Sequence, residues 1–385
     1  MQQPAYAAQN DAPIPFQFTG SGGEYFKIWI VNLCLTILTL GIYSAWAKVR
    51  RNRYFYGNTR VADSAFDYQA KPIAILKGRL IAVAFFGAMT LSQHVSMTLY
   101  GVLMLIFLVL LPWVIVRSLT FRARYTAWRN IRFSFDGRYG EAFVNYLLIP
   151  FLPLALMFVP TFFIQPGDAG SASRMLPIMG LGFILLMAIG PYAFYRQKRW
   201  FVEHSGYGRD YFHFDAGAGS FYKVAGMALL IMIGMGAVVG IVTSISVVGS
   251  VARTGGQGPA MGAGFIRLIV TIYAVFILGY AFLFAYFKAR MANLLLGNTS
   301  IEGHSFLAEL SAWGLFKVYL VNLFGIVLTV GLFIPWAKVR AARYIADHLW
   351  LVPNDDLDRF VAEQQSAVAA VGEEMGEMFD IDIGL

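Results

Sequence analysis

Charge is scarce in this sequence and cysteine nearly absent. Of 385 residues only 14% are Asp, Glu, Lys or Arg, where a soluble domain carries about a quarter. The polar surface left over is too small to cover a water-soluble globule of this length, which all but excludes a cytosolic enzyme. The single cysteine, Cys34, lies in an apolar run. No disulfide, zinc site or iron–sulfur cluster can be built within one chain from it, and it reads as a small packing residue. The five histidines (His94, His204, His213, His304 and His348) show no metal-ligand spacing. The glycine-rich stretches 255–258 and 262–264 lack the strand context of a phosphate loop. No Asp or Glu stands near the middle of an apolar run; Glu24, Glu141 and Glu309 only flank them. Ion-coupled transport ordinarily needs such a carboxylate at depth. The first 24 residues lack the basic and apolar regions of a cleavable signal, so an uncleaved multi-span protein is expected. No catalytic residue, cofactor, metal or nucleic-acid partner is expected.

What the chain has in abundance is apolar length. Hydrophobic residues make up 58%, and a bilayer core needs roughly 20 of them in helical form. Runs near 73–92, 99–117, 143–164, 175–195, 221–249 and 264–287 qualify, while 26–47 and 313–337 are apolar but interrupted. Loops on one side are almost free of charge. Those on the other carry Lys48 to Arg53, Arg117 to Arg138, Arg196 to Arg209, and Lys288 with Arg290. That asymmetry predicts a cytoplasmic basic side. The tail from Asn354 holds nine acids against Arg359, leaving sixteen surplus positive charges before it.

The sequence also repeats itself. Shifted by 290 residues, Phe26–Tyr54 matches Phe316–Tyr344 at 15 of 29 positions, including Trp46-Ala-Lys-Val-Arg50 on Trp336-Ala-Lys-Val-Arg340. Shifted by 240, Lys48, Arg50, Gly57, Asn58, Thr59 and Phe66 fall on Lys288, Arg290, Gly297, Asn298, Thr299 and Phe306. Aromatic pairs at Phe16/Phe18, Phe133/Phe135 and Phe212/Phe214 each precede another aromatic (Phe26, Phe143, Tyr222) by eight residues. Alternation over 131–139 ending in Asp136-Gly137 predicts a hairpin with its turn there, with weaker hairpins at 58–68 and 211–216. The expected fold is an all-α polytopic membrane bundle with internal repeats. It would have about six full transmembrane helices, two re-entrant or bent terminal segments (eight full spans being the alternative) and short cytoplasmic β-hairpins. Its divisions would be an N-terminal segment 1–23 with a short strand, a repeat-built membrane domain 24–350 and an acidic tail 351–385.

The stretch Phe16-Gln-Phe-Thr-Gly-Ser-Gly-Gly-Glu-Tyr-Phe-Lys-Ile-Trp-Ile-Val-Asn resembles the YjgN-like family of bacterial inner-membrane proteins. So do Thr39-Leu-Gly-Ile-Tyr-Ser-Ala-Trp-Ala-Lys-Val-Arg and Arg53-Tyr-Phe-Tyr-Gly-Asn-Thr. The resemblance covers the chain to about residue 350; Ala45 stands where Pro335 gives the second copy a Pro-Trp-Ala form. It implies a multi-pass inner-membrane location and brings no activity or substrate.

Candidate sites follow from residue chemistry. At helix ends leaving a bilayer, Trp and Tyr settle at headgroup level while Lys and Arg reach phosphates. Trp46, Lys48, Arg50, Arg53 and Tyr54, with Lys288, Arg290, Trp336, Lys338, Arg340, Arg343 and Tyr344, are therefore candidate contacts for anionic lipid headgroups, the alternative being ordinary anchoring. Asn32 and Asn322 are candidates for an intramembrane polar site or, equally in keeping with their chemistry, interhelical hydrogen bonds. Gly236 and Gly240 have the spacing of a close helix contact, inside the chain or in a homo-oligomer. The tail is expected to be solvated, or else docked by charge on the basic face. Functionally, the sequence suggests small-solute or lipid handling, or an envelope scaffold recruiting partners.

Overall fold

In the computed structural model, residues 12–165, 168–254 and 263–367 are described. The chain runs out and back through five helical hairpins. The first joins α1 (Gly22–Leu38) to α2 (Ser44–Gly57) and the second α3 (Pro72–Val95) to α4 (Met97–Arg124). In the third, α5 (Tyr139–Phe143) and α6 (Ile149–Phe158), linked by a π turn at Val144–Leu148, lead to α7 (Ala169–Glu203). The fourth pairs α8 (Ala218–Thr254) with α9 (Ala263–Leu296), and the fifth α10 (Ala312–Leu328) with α11 (Ile334–Ala346). The arms of the middle three hairpins supply six helical stretches long and apolar enough to cross a membrane. At most 17% of any of these apolar windows is buried, so their greasy faces look outward, as lipid-facing surface does.

The outer two hairpins are half as long and share one geometry. Thr39 and Thr329 each donate a hydroxyl to the carbonyl four residues back and accept the amide of Tyr43 or Phe333 at 2.9 Å. Gly41 and Gly331 adopt φ of 90° and 91°, and each sends its amide five residues back at 2.8 Å. That left-handed closure is cheap only for glycine. Leu40 and Val330 sit beside them at φ of 49° and 50° and are 95% and 93% exposed. α1 packs on α11, with the Phe26 and Trp336 rings 5.0 Å apart.

Between hairpins the chain forms β structure. Strands β1 (Ile14–Pro15), β2 (Gln17–Phe18), β3 (Thr59–Val61), β4 (Ser64–Tyr68), β5 (Thr126–Trp128) and β6 (Ile131–Phe135) come first. They are followed by β7 (Ser205–Tyr207), β8 (Asp210–Tyr211), β9 (His213–Phe214), β10 (Thr299–Ile301), β11 (His304–Ala308) and β12 (Leu349–Val352). Four two-residue turns close β3–β4, β5–β6, β7–β8 and β10–β11. Positive φ at Ala62-Asp63, Arg129-Asn130 and Glu302-Gly303 gives three of them the twist that matches paired strands.

These pairs assemble into two antiparallel sheets, β1-β12-β11-β10-β9 and β2-β3-β4-β5-β6-β7-β8. The sheets are also joined covalently at both edges. β1 runs into β2 through Phe16, whose amide donates to Leu349 O at 2.9 Å, and β8 into β9 through Phe212, which donates to Ser205 O at 2.9 Å. The result is a closed ring of strands, completed where the N-terminal β1 pairs with the C-terminal β12.

Two expected hairpins are corrected. The turn next to β6 lies at Arg129-Asn130, before the strand, not at Asp136-Gly137. Asp136 instead prolongs the ladder, its amide donating to His204 O at 3.1 Å, and a Cβ on Gly137 would fall 2.4 Å from the Trp200 ring. The 211–216 segment is no hairpin, because β8 and β9 belong to different sheets. Within the chain, the close helix contact expected at Gly236 and Gly240 is absent among the described residues, since a Cβ at either would meet nothing within 4 Å.

A candidate ligand cavity lined by cations and aromatics

Each returning helix passes into the β ring at a fixed point, and the spacing from that point places its functional side chains. Thr59, Thr126, Ser205 and Thr299 open their strands, each donating its hydroxyl to the helix carbonyl four residues back at 2.6–2.9 Å. Seven residues beyond them stand Phe66, Phe133, Phe212 and Phe306. With Phe16 these rings form a run of neighbours, 6.5 Å from Phe16 to Phe66 and from Phe66 to Phe133, then 6.4 Å to Phe212 and on to Phe306. Before the same points stand the cations. Lys48, Lys288 and Lys338 lie eleven residues ahead of Thr59, Thr299 and Leu349, Lys198 seven ahead of Ser205, and Arg122 four ahead of Thr126. Offsets of four, seven and eleven fall on one helical face.

A cavity of about 800 Å³ opens between this face and the phenylalanines. Its walls are mostly aromatic and aliphatic, with Leu119, Phe194, Phe284 and Phe287 on three returning helices and Phe66, Phe133, Phe212 and Phe306 across the β side. Arg122, Lys198 and Lys288 also line it, and among the described residues no acidic one does. Lys198 lies within electrostatic reach of both Lys288 and Arg122. Lys48 similarly feels Arg79, Arg51 and Arg122, and Lys338 feels Arg51. Loss of bulk water, then these neighbouring cations, pushes the amines of Lys48 and Lys338 below the usual lysine range.

The far side of the ring is filled by the chain's own C-terminal segment. Val61, Trp128, Ile131, Tyr207, Ile301 and Leu351 form a core with Leu357 and Val361 of a helical stretch at 357–367. Phe360 lies 6.1 Å from Tyr207 and 4.9 Å from His304. Gln364 accepts the Arg209 amide at 2.9 Å and donates to Asp210, while Arg129 pairs with Asp358. The expected contrast between a solvated tail and one docked by charge thus misses the physical reason: these residues are held mainly by apolar packing. The acids from Glu373 onward lie outside the described residues.

The sequence candidates divide by what their polar atoms hold. Lys288 lines the cavity, and Lys48 and Lys338 share its helical face. Arg53 donates to Tyr68 O at 3.2 Å and Arg343 to Gly20 O at 2.9 Å, tying helix ends to loops. Tyr54 and Tyr344 donate to Ser21 O and Ser311 O, at 2.8 and 3.3 Å, clamping the starts of α1 and α10. Trp336 packs on Gly22 and Phe26 of α1. Trp46 stacks 6.1 Å from Tyr43, to whose hydroxyl Arg50 donates at 3.0 Å. Arg340 lies over the Phe333 ring at 5.7 Å, and Arg290 is exposed.

Asn32 and Asn322 are 7% and 6% exposed and line no part of the cavity. Asn322 donates to Ala337 O at 3.1 Å, across its own hairpin, and both side-chain oxygens lack a partner among the described residues. Sequence reasoning missed Arg122 and Lys198 as site residues, because their offsets differ from that of the three lysines. It also passed over the pairing of His204 with Glu141 and of His213 with Asp215, both at 3.0 Å.

The chain is 25% identical over 359 residues to the inner membrane protein YjgN of Salmonella typhimurium (strain LT2), covering 89% of this chain and 88% of that one. It is 31% identical over 189 residues to the protein of the same name from Escherichia coli O157:H7 and 33% over 190 residues to that of strain K12, 47% of either chain in each case. No solved structure matches. A family model described as "Bacterial protein of unknown function (DUF898)" matches residues 13–378. With six membrane-capable helices and relatives named as inner-membrane proteins, the chain belongs to this YjgN-like DUF898 family of multi-pass inner-membrane proteins.

Proposed function

We propose that the protein is a non-enzymatic lipid-handling protein that takes an anionic amphiphile into the cavity between its returning helices and its β ring. The observation that carries this reading is the pairing of an apolar volume of about 800 Å³ with three cations and, among the described residues, no acid on its walls. Acyl chains gain from burial against Phe194, Phe284 and Phe287, and a phosphate or carboxylate neutralises Lys198, Lys288 and Arg122. A hollow interior supports handling of a ligand over a purely structural role in the envelope.

The topology in this reading has the β ring and its basic helix ends in the cytoplasm, where the positive-inside rule places them. The five helical hairpins act as repeats of one unit around the cavity, and the two short ones are re-entrant. Their 17-residue leading helices are about 25 Å long, too short to leave the β layer and cross. Their tips carry Leu38, Leu40, Leu328 and Val330, all more than three-quarters exposed, as side chains in hydrocarbon are and side chains in periplasmic water are not.

The test is lipid analysis of the protein purified in mild detergent. Wild type is expected to retain roughly one anionic lipid per chain, lost in Lys198→Gln/Lys288→Gln. Equal retention in both, or lipid at background level in wild type, overturns the proposal.

A further inference from the structure

The cations extend beyond those that line the cavity. Lys198 and Lys288 line it from α7 and α9, while Lys48 and Lys338 hold the eleven-residue offset on α2 and α11, outside the lining, with Arg51 three residues after Lys48. Arg122 links the groups, since it lies within electrostatic reach of both Lys198 and Lys48. Arg79 adds a seventh positive charge beside Lys48, its guanidinium held by the Ser44 hydroxyl. Among the described residues no salt bridge neutralises any of the seven. The charges acting on Lys48, Lys198 and Lys338 are all positive.

Such a cluster opposes the folded state through mutual repulsion, with Arg79 and Lys198 half-buried and the other five exposed. Among the described lysines and arginines only Arg129, Arg174, Arg199 and Arg359 pair with an acid, so what sets the seven apart is their convergence on one another. A polyanionic ligand complements this charge, and one phosphate reaches only part of a set spread over α2, α3, α4, α7, α9 and α11.

We infer that the site is two-lobed and selects a ligand with at least two phosphate-type charges, one over Lys198, Lys288 and Arg122 and the other over Lys48, Arg51 and Lys338. This rests on the proposed cavity function and names the class of ligand it takes. The apolar walls favour a lipid as the source, with its acyl chains in the cavity and its two phosphates on the two lobes.

The test titrates the delipidated full-length protein in detergent, following its thermal melting. Three probes are used: cardiolipin, phosphatidylglycerol at equal phosphate, and soluble pyrophosphate. The second phosphate meets two or more further cations, so cardiolipin is expected to bind about tenfold tighter than phosphatidylglycerol. Lys48→Gln/Lys338→Gln should reduce cardiolipin to the phosphatidylglycerol level and leave phosphatidylglycerol within twofold. Lys48→Arg/Lys338→Arg, which keeps the charge, should retain the preference. Without ligand the glutamine pair should melt no lower than wild type, because repulsion is relieved; a lower melting temperature would mark these lysines as structural and overturn the inference. Equal binding of the two lipids to wild type overturns the two-lobed site while leaving the cavity function standing. Binding of neither lipid removes both. Pyrophosphate binding as tightly as cardiolipin overturns the lipid source.

Discussion

Docking of the 357–367 helix on the β ring is governed by its apolar face, so methyl groups rather than charges should control its release. Val361 and Leu357 are 4% and 9% exposed in the ring core. Val361→Ala removes two carbons at roughly 0.8 kcal/mol each. With the cavity left behind, the loss is about 2 kcal/mol, or about thirtyfold in the undocked population. For Leu357→Ala the corresponding figures are about 3 kcal/mol and a little over a hundredfold. The ion pair counts for much less. Asp358's side chain is 82% exposed, and exposed pairs contribute at most about 1 kcal/mol, about fivefold on release by Asp358→Asn. Hydrogen exchange of the 357–367 amides reads these populations directly when opening is fast and reversible. The expected order of acceleration is Leu357→Ala, then Val361→Ala, then Asp358→Asn, with little change when about 1 M salt shortens the screening length to roughly 3 Å. If Asp358→Asn or salt accelerates exchange as much as Val361→Ala does, docking is electrostatic and the packing argument fails.

Three further outcomes follow from other parts of the fold. Gly22→Ala would place a Cβ 2.2 Å from Trp336 Cδ1, while Gly23→Ala meets nothing within 4 Å. The first should cost about 1–3 kcal/mol and lower the melting temperature relative to the second; equal melting refutes the close fit of α1 on α11. His304 has its pKa pushed down by burial, which outweighs Asp355 and Glu302 acting the other way, and its Nδ1 accepts the Asn354 amide at 3.2 Å. With the folded value below the unfolded one, the unfolded chain takes up the proton first. Stability is therefore lost as pH falls below about 6.5, and protection of the amides around 354–367, taken relative to their intrinsic exchange rates at each pH, should fall in acid in wild type but not in His304→Gln. Finally, Leu40→Cys in a Cys34→Ser background should resist membrane-impermeant thiol reagents from either side, and labelling from the periplasmic side would make α1 a full span. A charge there, as in Leu40→Asp, should cost about 2.5–3.5 kcal/mol if the tip lies deep in hydrocarbon, read as reduced yield in the membrane fraction.

Features set by local chemistry are legible in the amino-acid sequence. Apolar length locates the six candidate spans, and Gly41 and Gly331 mark the breaks in the short hairpins. Strand β6 is readable from alternation alone, but its turn is not: Arg129 and Asn130 take positive φ without the glycine that announces such turns, and Asp136-Gly137 supplies a false one. Closure of the ring is hidden for a different reason. It depends on Ile14 meeting Leu351 across nearly the whole chain, a pairing between strands too short to carry a pattern. The candidate basic residues stand out by type and nearness to aromatics, which cannot tell a cation facing a cavity from one bonded to a loop carbonyl. Lys288 and Arg343 look alike in sequence, yet one lines the cavity and the other holds Gly20 O.

The repeat gains its physical meaning from what lies on either side of the helix–strand junction. At four of the five junctions a hydroxyl ends the helix by bonding the carbonyl four residues back, fixing where the strand begins. Seven residues on, the strand has turned and come back, and a phenylalanine faces the ring interior. Four, seven or eleven residues earlier, a cation faces the same axis. One short local rule thus delivers an aromatic floor and a charged wall from segments scattered along the chain, without any one segment containing a recognisable binding motif. That arrangement also explains why the charges tolerate different offsets: a lysine side chain spans a helical turn, so selection for a positive wall fixes the face and not the position. The phenylalanines do not share this freedom, because a one-residue shift would turn them to the opposite face of the strand.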